Sequence, residues 1–140
     1  MSRVLLDTNI VVFMLTNQLT EISPDVTAII KDYSISLEIS TISVMEIIQL
    51  CRIGKIRLKK GMKPEDVPVY IEDEFYITIK GFSKPHACTM ASLCISHEHN
   101  DPFDHAIISH AIADRSTLVS SDSRFKNYKN QKLNFIYNKR

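Results

Sequence analysis

Glycine is scarce, with only three in 140 residues, so the chain has little from which to build flexible linkers or low-complexity tracts. No apolar run approaches the roughly 20 residues that cross a bilayer. The opening MSRVLLD meets an acid too early for the apolar core of a secretory signal. These absences point to a cytoplasmic protein with no membrane association. Cysteine is also sparse: Cys51, Cys88 and Cys94 form an odd set without a C-x-x-C pair, which speaks against a disulfide framework or a cysteine-based zinc site. Each falls among apolar neighbours, as expected of a reduced thiol in a core.

A large excess of one charge sign is missing too. The net charge of +1 does not by itself call for a polyanionic partner. The bases are unevenly placed, however: 12 of the 17 Lys and Arg fall in two acid-free stretches, Arg52 to Lys63 (RIGKIRLKKGMK) and Ser123 to Arg140. Segregated bases can hold a phosphate backbone even on a near-neutral molecule; a solvated helix end and a basic tail would give the same pattern.

What is present reads as alternating strands and helices. RVLLD is a short apolar run ending in an acid, ISLEIS at 35–40 alternates with period two, and FYITI at 75–79 and TLVSS at 117–121 complete four expected strands. Between them, Val44, Ile47, Ile48 and Cys51 recur at helical spacing, as do Ala87, Met90, Ala91 and Cys94, and Phe103, Ile107, Ile108 and Ala111. Pro24 and Pro64 each open a further expected helix, over 24–32 and 64–74, because proline in a first turn costs no hydrogen bond. The length fits one domain spanning 1–140. Alternation of this kind predicts an α/β fold, a mainly parallel sheet with helices on both faces. In such sheets ligands bind beyond the carboxyl ends of the strands.

Acids are expected at that edge. Asp7 ends the first strand, Glu46 opens the helix after the second, Asp104 opens the helix of HNDPFDHAIISH, and Asp122 follows the strand at 117–121. Each has a structural explanation: Ser43 to Glu46 reads as a capping box, and Asp101-Pro102-Phe103-Asp104 as an N-cap, a proline at N1 and an acid at N3. Together, though, ionised carboxylates persist only if a cation neutralises them or some take up protons. Mg2+ prefers oxygen ligands, keeps several waters and takes one or two carboxylates plus a substrate phosphate. Asp7, Asp104 and Asp122 suit that ion, and Glu46 could hold a second metal or a metal-bound water. Such a centre activates water and stabilises a leaving oxygen in displacement at phosphorus, so the expected chemistry is phosphodiester hydrolysis.

The other polar candidates support these four. Thr8 and Asn9 could cap the first helix or orient Asp7 and a scissile phosphate; Ser120 and Ser121 could donate to a phosphate oxygen or merely shape a turn. His97, His99, His105 and His110 show no HExxH arrangement, and four acids prefer a harder metal than zinc. Among them His105, next to Asp104, is the one expected to touch substrate.

With LLDTN, SVMEIIQLCRIGKIRL, HNDPFDHAIISHA and TLVSSDSRF in this order, the sequence resembles the PIN domain family, and within it the VapC-like toxins of bacterial toxin–antitoxin pairs. The resemblance runs from about Arg3 to the NFIYNK near the end. It implies a three-layer α/β/α domain and a Mg2+- or Mn2+-dependent endoribonuclease whose acids match Asp7, Glu46, Asp104 and Asp122, with Asp101 in support. It also implies an RNA substrate, a homodimer, and a cognate antitoxin that blocks the acidic cleft and co-represses its own operon. Relatives commonly carry arginine where this chain has His105, so its grip on phosphate or its pH dependence is expected to differ. A haloacid-dehalogenase-like phosphatase would need an acid at position 9, where this chain has Asn9, and a response-regulator receiver would need an acidic pair and a lysine that are not evident. The remaining alternative, a non-catalytic PIN-like module that binds RNA or protein, would show a lost acid, and none is lost.

Overall fold

The computed structural model describes residues 2–140. Five strands, β1 (Arg3–Leu6), β2 (Ser36–Ser40), β3 (Thr78–Lys80), β4 (Thr117–Ser120) and β5 (Asn134–Tyr137), form one sheet in the order β3-β2-β1-β4-β5. All its pairings are parallel, for example Leu5 opposite Glu38 and Leu118. Six α-helices intervene: α1 (Thr8–Leu15), α2 (Pro24–Lys31), α3 (Thr41–Arg52), α4 (Val67–Phe75), α5 (Lys84–Ser92) and α6 (Pro102–Asp114). Short 3-10 segments cover Leu19–Glu21, Pro64–Asp66 and Ser123–Gln131.

Alternation along the strands divides the core between the two faces of the sheet. Val4 and Leu6 of β1 and Val119 of β4 pack with Ile10, Val11, Phe13, Val26, Ile47 and Ile71. Their neighbours Leu5 and Leu118 point the other way, into Ile107, Ile108, Ala111, Phe125 and Tyr128. Helices therefore cover both faces, as expected, in a sheet that is wholly parallel.

Several boundaries differ from the sequence reading. Residues 75–77 are not strand: Phe75 closes α4 and meets Tyr70 edge to face at 5.2 Å, and Tyr76 turns the chain with φ 54°. Helix 64–74 is broken, with Pro64 opening a 3-10 turn and the α-helix restarting at Val67. The fifth strand lies at the edge of the sheet, and its FIY run is too short and too little buried to carry a period. The stripe Ala87, Met90, Ala91 and Cys94 is not a core face, for Ala87, Ala91 and Cys94 are exposed and only His86 of α5 is buried. Of the cysteines only Cys51 packs against the core; Cys88 and Cys94 are exposed, and all three are free thiols. None of the described helices is long and apolar enough to cross a membrane.

Chain order reverses around β1, which has β2 on one side and β4 on the other. In open parallel sheets such a reversal leaves a crevice beyond the strand ends, and the acids converge there.

Candidate active site

Asp7 follows β1 and is the N-cap of α1, its Oδ1 accepting from Thr8 N at 2.7 Å. Its Oδ2 accepts from Ser120 Oγ at 2.6 Å and Asn9 Nδ2 at 3.2 Å, and the residue is only 3% exposed. Burial pushes its carboxyl up from 3.8 to about 7; the Ser120 and Thr8 bonds resist, and the charges of Asp104 and Glu46 add to the rise. Loss of solvent outweighs the hydrogen bonds, so the neutral form of this carboxyl is favoured well above its ordinary range.

Glu46 reaches the same place by a different route from the one expected. The N-cap of α3 is Ser40, whose Oγ accepts from Ile42 N at 3.1 Å, so the helix starts three residues before the expected Ser43 cap. Ser43 Oγ is buried without a partner, and no capping box forms there. Glu46 instead sits in the second turn and accepts from Thr8 Oγ1 at 2.7 Å. Burial raises its carboxyl, the Thr8 bond opposes, and Asp104 and Asp101 raise it further.

The start of α6 matches the sequence reading. Asp101 is the N-cap, accepting from Phe103 N at 2.9 Å, and Pro102 takes the first helical position. Asp101→Ala should cost about 1 kcal/mol of stability, the usual worth of such a cap, and chemical denaturation measures it directly. Asp104, at N3, accepts from His99 Nε2 at 2.9 Å. Burial raises its carboxyl, His99 opposes, and Asp101 and Asp122 add to the rise.

Asp122 follows β4, its N–H donating to Ser120 Oγ at 3.0 Å and its Oδ1 accepting from Arg124 N at 3.0 Å. Burial would raise this carboxyl, but the Arg124 fork, at 3.0 and 2.7 Å, holds it below the usual range. The same guanidinium stands 3.6 Å from Asp104.

Asp7, Thr8, Asn9, Glu46, Asp104 and Asp122 thus line one cleft of about 310 Å³, with Phe13 and Arg140 at its wall. Thr8 and Asn9 both cap and orient: Thr8 ties Glu46, and Asn9 spans from Asp7 to Ser121 N. Ser120 is wholly buried and serves as a hub between Asp7, Asn9 and Asp122. Ser121 Oγ accepts from Asn138 Nδ2 at 2.8 Å and so ties β5 to the site.

His105 is the clear correction. It is 5% exposed, its Nε2 lies 2.6 Å from the His99 carbonyl, and it packs beside Tyr128. It faces the core, so the expected phosphate contact is withdrawn. The histidine at the acids is His99, 1% exposed, with Nδ1 3.0 Å from Tyr128 Oη. Ser96 N donates to that hydroxyl, so the Tyr128 proton points to Nδ1 and the His99 Nε2–H points to Asp104. His99 and Arg124 were both missed as site residues. Their only sequence signal was proximity, two residues from Asp101 and from Asp122.

The donors around the cleft suit a hard cation. Both nitrogens of His99, the one ring near Asp104 and Asp122, are already engaged, which leaves carboxylate oxygens to face the cleft.

The PIN domain family model matches residues 4–131. The chain belongs to the PIN domain family. Among solved structures, it is similar over 96% of its length to a chain of VapBC2 from Rickettsia felis bound to a DNA fragment from their promoter, at 22% identity, with a TM-score of 0.68 and 98% of that chain covered. DNA-bound VapBC from Salmonella typhimurium gives 18% identity and a TM-score of 0.63, with 98% of both chains covered. FitAcB from Neisseria gonorrhoeae gives 20% and 0.58, with 96% of both covered. No curated protein matches by sequence. At these identities the neighbours attest the fold, which is that of a three-layer α/β/α PIN domain.

Proposed function

We propose that this PIN domain is a divalent-metal-dependent endoribonuclease and the toxin of a toxin–antitoxin pair. One observation carries the reading: four acids from separate elements line a single cleft, and burial there pushes the Asp7 carboxyl up to about 7. Asp7, Asp104 and Asp122 would hold Mg2+ or Mn2+, with Glu46 available for a second ion or a water. When bound, such an ion supplies charge neutralisation at the phosphate and an acidified water. The chain's own part is positioning. Ser120, Thr8 and Asn9 fix the carboxylates from behind, His99 fixes Asp104, and the exposed Arg124 is free to leave Asp122 for a substrate phosphate.

The bases of Arg52 to Lys63 are exposed and follow α3, the helix that carries Glu46, a placement suited to tracking an RNA backbone. Binding of a labelled RNA should weaken as salt rises, and Lys55→Glu/Lys59→Glu/Lys60→Glu should flatten the log–log slope by about three contacts. An unchanged slope would remove this stretch from the interface.

The antitoxin reading draws on likeness to VapBC and FitAB chains and on a groove of about 710 Å³ beside the acids. The groove is lined by Val44, Met45, Ile48 and Phe103 and shares Glu46 with the cleft. Exposed Met45 and Phe103 give it an apolar floor on which a helix of an antitoxin could lie next to the carboxylates it blocks. A homodimer and cytoplasmic action belong to the same proposal.

A further inference from the structure

A second polar cluster lies six to ten residues along α6 from Asp104, about 9 to 15 Å by helix rise. His86 of α5 meets His110 and Asp114 of α6, and one ligand atom from each falls within 4.8 Å of the others. His86 Nε2 is 2.7 Å from Asp114 Oδ1, and His110 Nε2 is 3.2 Å from Asp114 Oδ2. The two rings are 4.0 Å apart.

Three features of this cluster fit poorly with plain packing. His110 is wholly buried, and its Nε2 faces only the Asp114 carboxylate, 3.2 Å away. Glu38, 5% exposed, carries an orphan, Oε1, and feels both the charge of Asp114 and that of Lys80, which also acts on His110. Finally, α5 docks on α6 with a histidine as its one buried side chain, where a docked helix ordinarily presents an apolar stripe. Two imidazoles and a carboxylate converging where a docked helix lacks an apolar face make an arrangement that a cation would complete.

We propose that His86, His110 and Asp114 form a site for a borderline divalent transition metal of the Zn2+ class, which pins α5 to α6. Two imidazoles and one carboxylate select Zn2+, Co2+ or Ni2+ over Mg2+. Ser83 N donates to His86 Nδ1 at 2.8 Å, which places the ring proton on Nε2, facing Asp114. A metal at Nε2 would move that proton to Nδ1, exchanging the bond from Ser83 N for one donated to Ser83 Oγ, 2.9 Å away; His110 Nδ1 has Ser40 Oγ at 2.9 Å in the same role. Both rings then have the outer partner that a ligating histidine normally keeps. Lys80 opposes the cation, and Asp114 and Glu38 offset it.

This site is independent of the nuclease reading and is tested without an activity assay. Chelator-stripped wild type, Asp7→Asn and Asp114→Asn are each titrated with Co2+ and Zn2+ in a large excess of Mg2+, which occupies the acidic cleft, with circular dichroism as the check on folding. Wild type and Asp7→Asn are expected to retain one equivalent of Zn2+ through gel filtration and to develop a visible Co2+ band. Asp114→Asn, isosteric and partly exposed, is expected to lose both, and Zn2+ should slow amide exchange in α5. Folded wild type without saturable Zn2+ binding, or binding kept by Asp114→Asn, would overturn the proposal. So would binding lost in Asp7→Asn, which would place the metal in the acidic cleft.

Discussion

Above neutral pH and without divalent cations, Asp7→Asn is expected to be more stable than wild type, by on the order of 3 kcal/mol, while cutting no RNA. The sign follows from the raised carboxyl, which titrates at 3.8 in the unfolded chain and at about 7 in the folded one. Folding therefore favours the protonated form. The resulting stability is complete below the unfolded value, declines as pH rises, and is gone above about 7. Asparagine cannot ionise and removes that slope. It keeps an oxygen for Thr8 N, although its amide must reorient the Ser120 hydroxyl, which lowers the gain. Denaturant melts on both sides of neutrality measure the effect; parallel pH profiles for the two proteins would contradict it. Mg2+ should restore stability to the wild type and leave the variant unmoved.

His99→Ala should slow cleavage about 10- to 100-fold, the usual cost of removing a residue that orients a ligating group, and should destabilise the fold by about 2 to 4 kcal/mol. The ring is buried, stacks on Phe125 at 5.9 Å and links Tyr128 to Asp104. Its loss leaves a cavity, an unpaired tyrosine hydroxyl and an acid without its donor. Because the His99 bond lowers Asp104, the acid limb of the pH–rate profile should move upward. A cavity alone would leave that limb in place. His99→Gln, which can still donate to Asp104, should recover part of the rate. A folded His99→Ala protein with the wild-type rate and profile would remove His99 from the site.

The parts of the site legible in the sequence were those set by local chemistry. Asp101-Pro102-Phe103-Asp104 carries its own start signal, and the cap formed as read. Asp7 and Asp122 follow short apolar runs that become β1 and β4, and pairing of those strands brings the acids together. Glu46 reads as a cap residue in the sequence, but Ser40 outcompetes Ser43 as the cap because it ends β2 in an extended conformation with its hydroxyl directed at Ile42 N. That shift turned Glu46 from a cap residue into a partner of Thr8.

What the sequence hid depends on contacts between distant elements. His99 and His105 lie six residues apart, and sequence alone does not say which ring turns toward Asp104; packing of Phe125 and Tyr128 decides it. His86 gives no signal in the sequence because its partners, His110 and Asp114, lie on the next helix. The strand β5 gives only an edge position and a half-buried FIY, too little for a period to register.

The most direct test of the acidic-cleft account is cleavage of a labelled RNA pool by wild type and Asp104→Asn, each with Mg2+, with Mn2+ and with EDTA. The account predicts endonucleolytic products from wild type with either ion. It also predicts none with EDTA, and a rate lower by about a thousandfold or more in the folded variant. Equal cleavage by wild type and Asp104→Asn, or cleavage by wild type that survives EDTA, would contradict it.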